Sequence, residues 1–287
     1  MDLYVFAQIC PFLAERLTYF SVRYNIMPDG GKQAGIFSAS GLNIHQRSPF
    51  DWEEWFMSRR LFENWRCTLS DSKFDVANAS WPVFTQAIAI GTFGNFEDHR
   101  FEPKFSCSRW GVNPELWGQK IETSGLLELA SGAHVAIGAH AGAMGGSSQV
   151  RGDICIDQDS GHLFRAPESS LAEIEDLEDF GLAVYQAAKA SGEKPGPKSG
   201  VVYAVLTVNQ GYFVGSEFGK TAIGVSGRYE ELKTGSVKGN LVLRPSRSHH
   251  VAFLHPENGG SPHPGVVGYK VLSWSQSGNK VYSNVRP

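Results

Sequence analysis

Residues 126–157, LLELASGAHVAIGAHAGAMGGSSQVRGDICID, limit the possible folds more than any other part of the chain. They read as strand, turn, long strand, Gly/Ser-rich turn and strand. Side chains alternate along an extended chain with period two. Ala133, Val135, Ile137, Ala139, Ala141 and Ala143 therefore share one face. His134, Ala136, Gly138, His140, Gly142 and Met144 share the other. Nearly all are small, whereas an ordinary core strand carries more Val, Ile, Phe or Tyr. A strand of small residues packs weakly and holds its register weakly. Residues 133–145 are also long for a globular strand, and a tilted strand needs roughly 9–11 residues to cross a bilayer. Two readings follow. One is a Gly-rich sheet of a soluble protein. The other is a region that leaves its first sheet and re-forms as a membrane hairpin.

The chain has 287 residues and 41% hydrophobic content, enough for a real core. Its net charge of −3 argues against a general nucleic-acid surface, which needs a basic face. Cys10, Cys67, Cys107 and Cys155 show no CxxC and no close metal-ligand spacing. Free thiols in a reducing compartment are the expectation, with two structural disulfides as the alternative. No apolar run reaches the length of a membrane helix. The opening MDLYVFAQICPFLA has Asp2 in place of a basic start and no clear small-x-small cleavage site, so no signal peptide is expected.

Phe6, Ile9, Cys10, Leu13 and Leu17 recur at helical spacing, bent or begun at Pro11. Pro28, Asp29, Gly30 and Gly31 mark a turn. Residues 34–47 read as a strand with an irregularity at Gly41. Residues 48–66, SPFDWEEWFMSRRLFENWR, crowd aromatic and basic groups together. Phe50, Trp52, Trp55, Phe56 and Met57, with Arg59, Arg60 and Arg66, form a candidate membrane-contact set. Trp and Tyr favour the membrane–water interface, and Arg beside them reaches lipid phosphates. The alternative is an amphipathic core helix with Trp55, Phe62 and Trp65 turned inward. Glu53 and Glu54 count against the lipid reading.

Residues 84–91 read as a strand and residues 102–117 as loop. Ser170 and Glu173 have the spacing of a capping box, predicting a helix with Leu171, Ile174, Leu177 and Val184 as its apolar stripe. Residues 191–200, SGEKPGPKSG, make a flexible connection. Residues 201–208, VVYAVLTV, are the strongest strand, apolar on both faces. Residues 211–229 are again small and alternating, much like residues 133–144, with Ile223 and Val225 among the larger apolar members. Residues 236–243 and 266–274 close the set of strands.

No catalytic constellation stands out. GxSxG, HExxH, Walker A and dinucleotide fingerprints are missing from the sequence. His249, His250, His255 and His263 lie close together, but in a Pro/Gly-rich segment that reads as a solvated loop. The expectation is a protein that is not an enzyme and uses no metal and no cofactor.

The order of elements carries more information than any single motif. Glu128-Leu129-Ala130, Val135-Ala136-Ile137-Gly138-Ala139, Ser147-Ser148-Gln149-Val150 and Cys155-Ile156-Asp157 follow one another. This run resembles the strand, Gly/Ala-rich strand, Ser-rich turn and strand of gasdermin pore-forming domains. A helix before a short Gly/Pro link, then residues 201–208, then residues 264–272 (PGVVGYKVL), fall in the same order as in that family. The aromatic and basic residues 50–66 sit where gasdermins have a membrane-touching loop. The resemblance covers most of the chain as a pattern rather than as identities.

The resemblance implies an α+β fold, a twisted and mostly antiparallel sheet flanked by helices, that re-forms as a membrane β-barrel oligomer. It implies one pore-forming domain over 1–274 and a short tail over 275–287, as in members without a large inhibitory domain. It implies hairpins over about 119–157 and 201–243. Partners would be membrane phospholipids and further copies of the chain in a ring, with an activating protease or related protein as trigger. The implied outcome is membrane permeabilisation and lytic cell death, by a protein cytoplasmic when inactive and at the plasma membrane when active. Only Arg16 and Arg23 stand for the family's basic first helix, which weakens the case for acidic lipid. The rival reading is a soluble β-rich module whose aromatic loop holds a protein or carbohydrate ligand.

Overall fold

The alternating segments become strands, and every pairing between them is antiparallel. The computed structural model describes residues 20–26, 32–38, 43–44, 59–80, 83–84, 88–97, 100–137, 149–237, 241–245, 249–254, 264–278 and 280–285. The chain groups into two units, Met1–Phe56 with Glu257–Gly259 and Met57–Pro256 with Gly260–Pro287. In the first, β1 (Phe20–Ile26) pairs with β2 (Lys32–Ser38), and β2 with β3 (Asn43–Ile44). The strand expected over 34–47 is thus two strands flanking Gly41. The helix expected near the start and the turn at 28–31 lie outside the described residues.

The larger unit begins with helix α1 (Arg59–Ser70), followed by β4 (Asn78–Ala79), β5 (Thr92–Glu97) and β6 (Arg100–Ser106). The chain then runs back and forth. It goes out through β7 (Gln119–Ser124), β8 (Leu127–Ser131) and β9 (Ala133–Ile137). It returns through β10 (Gln149–Ile156), β11 (His162–Ala166) and β12 (Ser169–Ile174). Helix α2 (Leu177–Ala190) leads to the second outward run, β13 (Ser199–Val208), β14 (Gly211–Ser216) and β15 (Thr221–Arg228). A short helix α3 (Tyr229–Thr234) precedes the last return, β16 (Val242–Arg244), β17 (His249–Leu254) and β18 (Gly265–Trp274), and β19 (Val281–Tyr282) ends the described strands.

Neighbouring runs pair with one another, so the four runs make one antiparallel ribbon with a fixed order. Its breaks divide it into tiers: a base with β7, β12, β13 and β18, a middle with β8, β11, β14 and β17, and an outer tier with β9, β10, β15 and β16. The fold is α+β, rich in curled antiparallel sheet and with few helices.

The base holds the heavy side chains. Residues 201–208 form β13 as their composition predicts, buried on both faces. Val201, Leu206 and Val208 join a core with Phe180 and Val184 of α2, while Val202 and Val205 join Phe101, Tyr269 and Val271. Trp274 closes the first core, and its indole donates to the Gly181 carbonyl at 2.8 Å. The end of the chain is tied into this tier. The Val285 amide donates to the Val271 carbonyl at 2.9 Å, and the Asn284 side chain donates to the Asp75 carbonyl at 3.0 Å.

Several local expectations are overturned. Ser170 and Glu173 do not cap a helix; they lie in β12, paired to β13 on one side and β7 on the other, and α2 starts only at Leu177. Ladder bonds to two neighbours outweigh one local capping pattern. The described residues of the strand expected over 84–91, Phe84 and 88–91, are not in a strand: Phe84 takes a left-handed φ of 70° in a turn, and β5 begins at Thr92. Residues 102–117 are not all loop, since β6 and two short 3-10 turns run through them. Among the described residues of 236–243, Val242 and Leu243 are the ones in a strand. His249 and His250 lie on β17 rather than in a loop; His255 and His263 are outside the described residues.

Candidate functional site

The outer tier combines the features that singled out its sequence. Val135, Ile154 and Ile223 lie side by side across three strands, as do His134, Cys155 and Ala222 one residue away. Val225 faces Leu243, and Gly224 faces Arg244. The expected alternation therefore holds over 133–136 and extends coherently across the sheet. One face carries Val135, Val150, Ile154, Ile156, Ile223, Val225 and Leu243. The other carries His134, Arg151, Asp153, Cys155, Ser226, Arg228 and Arg244. The apolar set is buried, apart from half-buried Val135, and the charged set is exposed.

The apolar face is covered by the segment that joins the second hairpin. Leu232 of α3, Val237 and Leu241 pack on it, with Leu163, Tyr212 and Val214 of the middle tier. Hydrophobic burial stabilises each of those three covering side chains by about 1.5–3 kcal/mol. A few polar contacts fix the cover. The Leu232 carbonyl accepts from Arg165 Nη1 at 2.8 Å and from the Tyr212 hydroxyl at 3.1 Å. Arg165 is itself held by Glu128 at 2.8 Å. Burial pushes the Tyr212 phenol up to about 12, so it stays a donor at neutral pH. Gly235 ends α3 with φ 77°, and any Cβ there would strike the Arg165 backbone at 2.6 Å. Only glycine lets the cover lie this close.

Between middle and outer tiers three of the four runs break at one level among the described residues. Gly132, Ser160 and Lys220 each have positive φ, at 54°, 58° and 55°. A Cβ on Gly132 would meet the Gln158 side chain at 1.9 Å. The breaks are tied to each other and to α1. Ser160 N donates to the Glu217 carbonyl at 3.1 Å, and Gly219 N to Asp159 Oδ1 at 2.7 Å. Asn64 of α1 donates through Nδ2 to Ser131 Oγ at 3.0 Å and to the Ser160 carbonyl at 2.8 Å.

Trp65, one residue on, stacks its edge against His162 and Phe213 at 5.3 and 5.2 Å between ring centres. His162 is wholly buried there. Burial pushes its imidazole down to about 4, with the Ser160 backbone opposing the shift, so it is neutral at pH 7. The helix α1 is thus a clamp at the level where the ribbon bends.

The predicted membrane-contact residues divide. Phe50, Trp52, Trp55, Phe56 and Met57 lie outside the described residues. Arg59 and Arg60 are exposed at the start of α1. Arg66 is bound to Glu63 at 2.7 Å, so its charge is partly answered within the helix. Phe62 and Trp65 are core residues, as the amphipathic-helix alternative required. Of the predicted hairpin residues, Val135 is half-buried, and Ile223 and Val225 are buried; the Ile137 side chain, Ala139, Ala141 and Ala143 are outside the described residues. Sequence reasoning missed the cover and the clamp. Acidic Glu230 and Glu231 ahead of Lys233 and Gly235 are a helix signal that marks α3.

Among the described residues, Cys67, Cys107 and Cys155 are free thiols. Also among them, no group of three His, Cys, Asp or Glu is arranged to hold a metal ion, and no helix is long and apolar enough to cross a membrane. No family model matches this chain, and no curated protein matches it.

Proposed function

We propose that this protein forms membrane pores, with the outer tier as the part that enters the bilayer. One observation carries the reading: across β9, β10, β15 and β16 the described charges fall on one face and the other is apolar. A transmembrane barrel needs that division, lipid outside and water inside. Both candidate hairpins have length in reserve. β10 and β15 span 8 residues each, and in sequence residues 138–148 join β9 to β10 and residues 229–241 join β15 to β16. Unwinding α3 and lifting its cover would lengthen the second hairpin and bare the apolar face together. Val237 and Leu241, which continue the alternation of Leu243, then exchange their buried apolar neighbours for lipid. A single subunit leaves open strand edges, which hydrocarbon does not tolerate, so copies of the chain must close a ring.

This reading agrees with the gasdermin-like order of elements. It assigns phospholipid and further copies of the chain as partners, a role that is not enzymatic, and lytic permeabilisation as the outcome, with the inactive form cytoplasmic and the active form at the plasma membrane. The test is dye release from phospholipid liposomes by the purified chain. A pore former releases dye in proportion to its surface density; a soluble binding module for a protein or carbohydrate releases none.

A further inference from the structure

We infer that the conduit lined by this protein prefers anions. The inference rests on the pore reading above and concerns what passes through. If the apolar face meets lipid, the face bearing Arg151, Asp153, Arg228 and Arg244 lines the water. The register fixes how these charges are spaced. Arg228 lies opposite Gln149 and Arg151 opposite Ser226, two residues nearer the base. Asp153, Gly224 and Arg244 form the next row, where one acid and one base offset each other. Among the described residues two rows are therefore basic with no acid in the same row, about 7 Å apart at the usual rise per residue.

Repetition around a ring turns each row into a belt of guanidinium groups, the arrangement that favours anions and phosphates in pores. The remaining hairpin segments do not reverse the balance. Residues 138–148 contain no acidic or basic side chain except His140. Residues 229–241 contribute Glu230 and Glu231 against Lys233 and Lys238. At the end of this tier nearer the base, His134 is paired with Asp157 at 3.0 Å. The whole chain is net negative at −3, so the basic lining is local and not a reflection of overall composition.

The test is the reversal potential of pores formed by the full chain in a planar phospholipid bilayer under a KCl gradient. Low ionic strength is needed, since the Debye length is about 30 Å at 0.01 M and only about 8 Å at 0.15 M. The wild type should show a reversal potential of the sign set by chloride, shrinking toward zero as salt is raised. Arg151→Gln with Arg228→Gln should move it toward zero, Arg151→Glu with Arg228→Glu should reverse its sign, and Asp153→Asn should enlarge it. All these sites are exposed, and the neutral pair keeps the test usable if the charge reversals disturb folding. Wild-type conductance that is cation-preferring or unselective at low salt overturns the basic lining while leaving the pore intact. So does a reversal potential that the Arg variants do not move. A chain that gives no conductance at all removes both readings.

Discussion

The same four runs of chain pass through the base and the outer tier, yet the two regions are built for different ends. In the base, β13 and β18 bury large side chains on both faces and are sealed by α2, Trp274 and the last residues of the chain. In the outer tier, small and branched residues bury one face only, under a cover of three side chains and a six-residue helix. Antiparallel pairing runs through both tiers, so pairing alone does not decide which part is fixed. The difference lies in what covers the faces. A face sealed by distant parts of the fold moves only if the fold is lost. A face sealed by the neighbouring connection is bared when that connection lets go.

Lesions of similar size should therefore have opposite consequences. Trp274→Ala removes a buried indole from the base and should cost about 3–5 kcal/mol. Leu232→Ala removes a buried side chain from the cover and should cost about 2–5 kcal/mol. Urea unfolding measures both losses. Liposome leakage separates them: the cover variant should leak faster than wild type at equal surface density, and the base variant should not. Faster leakage from Trp274→Ala alone would invert the comparison.

The base was legible in the sequence because its signal is local. Residues 201–208 and 266–274 are β-branched and apolar, and both became strands nearly residue for residue. The alternation over 133–136 was legible for the same reason. What stayed hidden depends on distant partners. Ser170 and Glu173 suit a helix cap until β7 and β13 claim both sides of their backbone. Leu232, Val237 and Leu241 form no periodic stripe, and their common role emerges only when Arg165 and Tyr212 hold the Leu232 carbonyl over the sheet. Gly132, Ser160 and Lys220 are far apart in sequence and meet at one level only through register. The spacing around Trp65 allows a core helix, but nothing local points to its contact with His162, nearly 100 positions away.

That clamp sits between the two regions and gives the comparison a pH dependence. His162 is held down to about 4 against an ordinary value of 6.5. Below pH 6.5 the unfolded chain binds a proton that the folded chain refuses, so stability is full above 6.5 and declines as pH falls toward 4. The slope is about 1.4 kcal/mol per pH unit. His162→Phe removes the proton site while keeping a ring beside Trp65 and Phe213. Its unfolding free energy should lose that part of the acid slope, as urea titrations at pH 7, 6 and 5 would report. An unchanged slope would place the acid sensitivity elsewhere.

The account turns on which face of the outer tier meets lipid, and neighbouring residues of β9 report on it directly. Val135 lies on the apolar face and His134 on the polar face, in a strand at the edge of its sheet. A Lys at mid-membrane on the lipid side of a barrel costs about 2–4 kcal/mol, repeated in every subunit, and much less on the water side. His134→Lys also places a cation beside Asp157. The deciding measurement is dye release from liposomes by wild type, Val135→Lys and His134→Lys, with melting temperatures taken on the same samples. The prediction is release by wild type and His134→Lys and none by a folded Val135→Lys. Equal release from the two folded variants, or none from wild type, would contradict it.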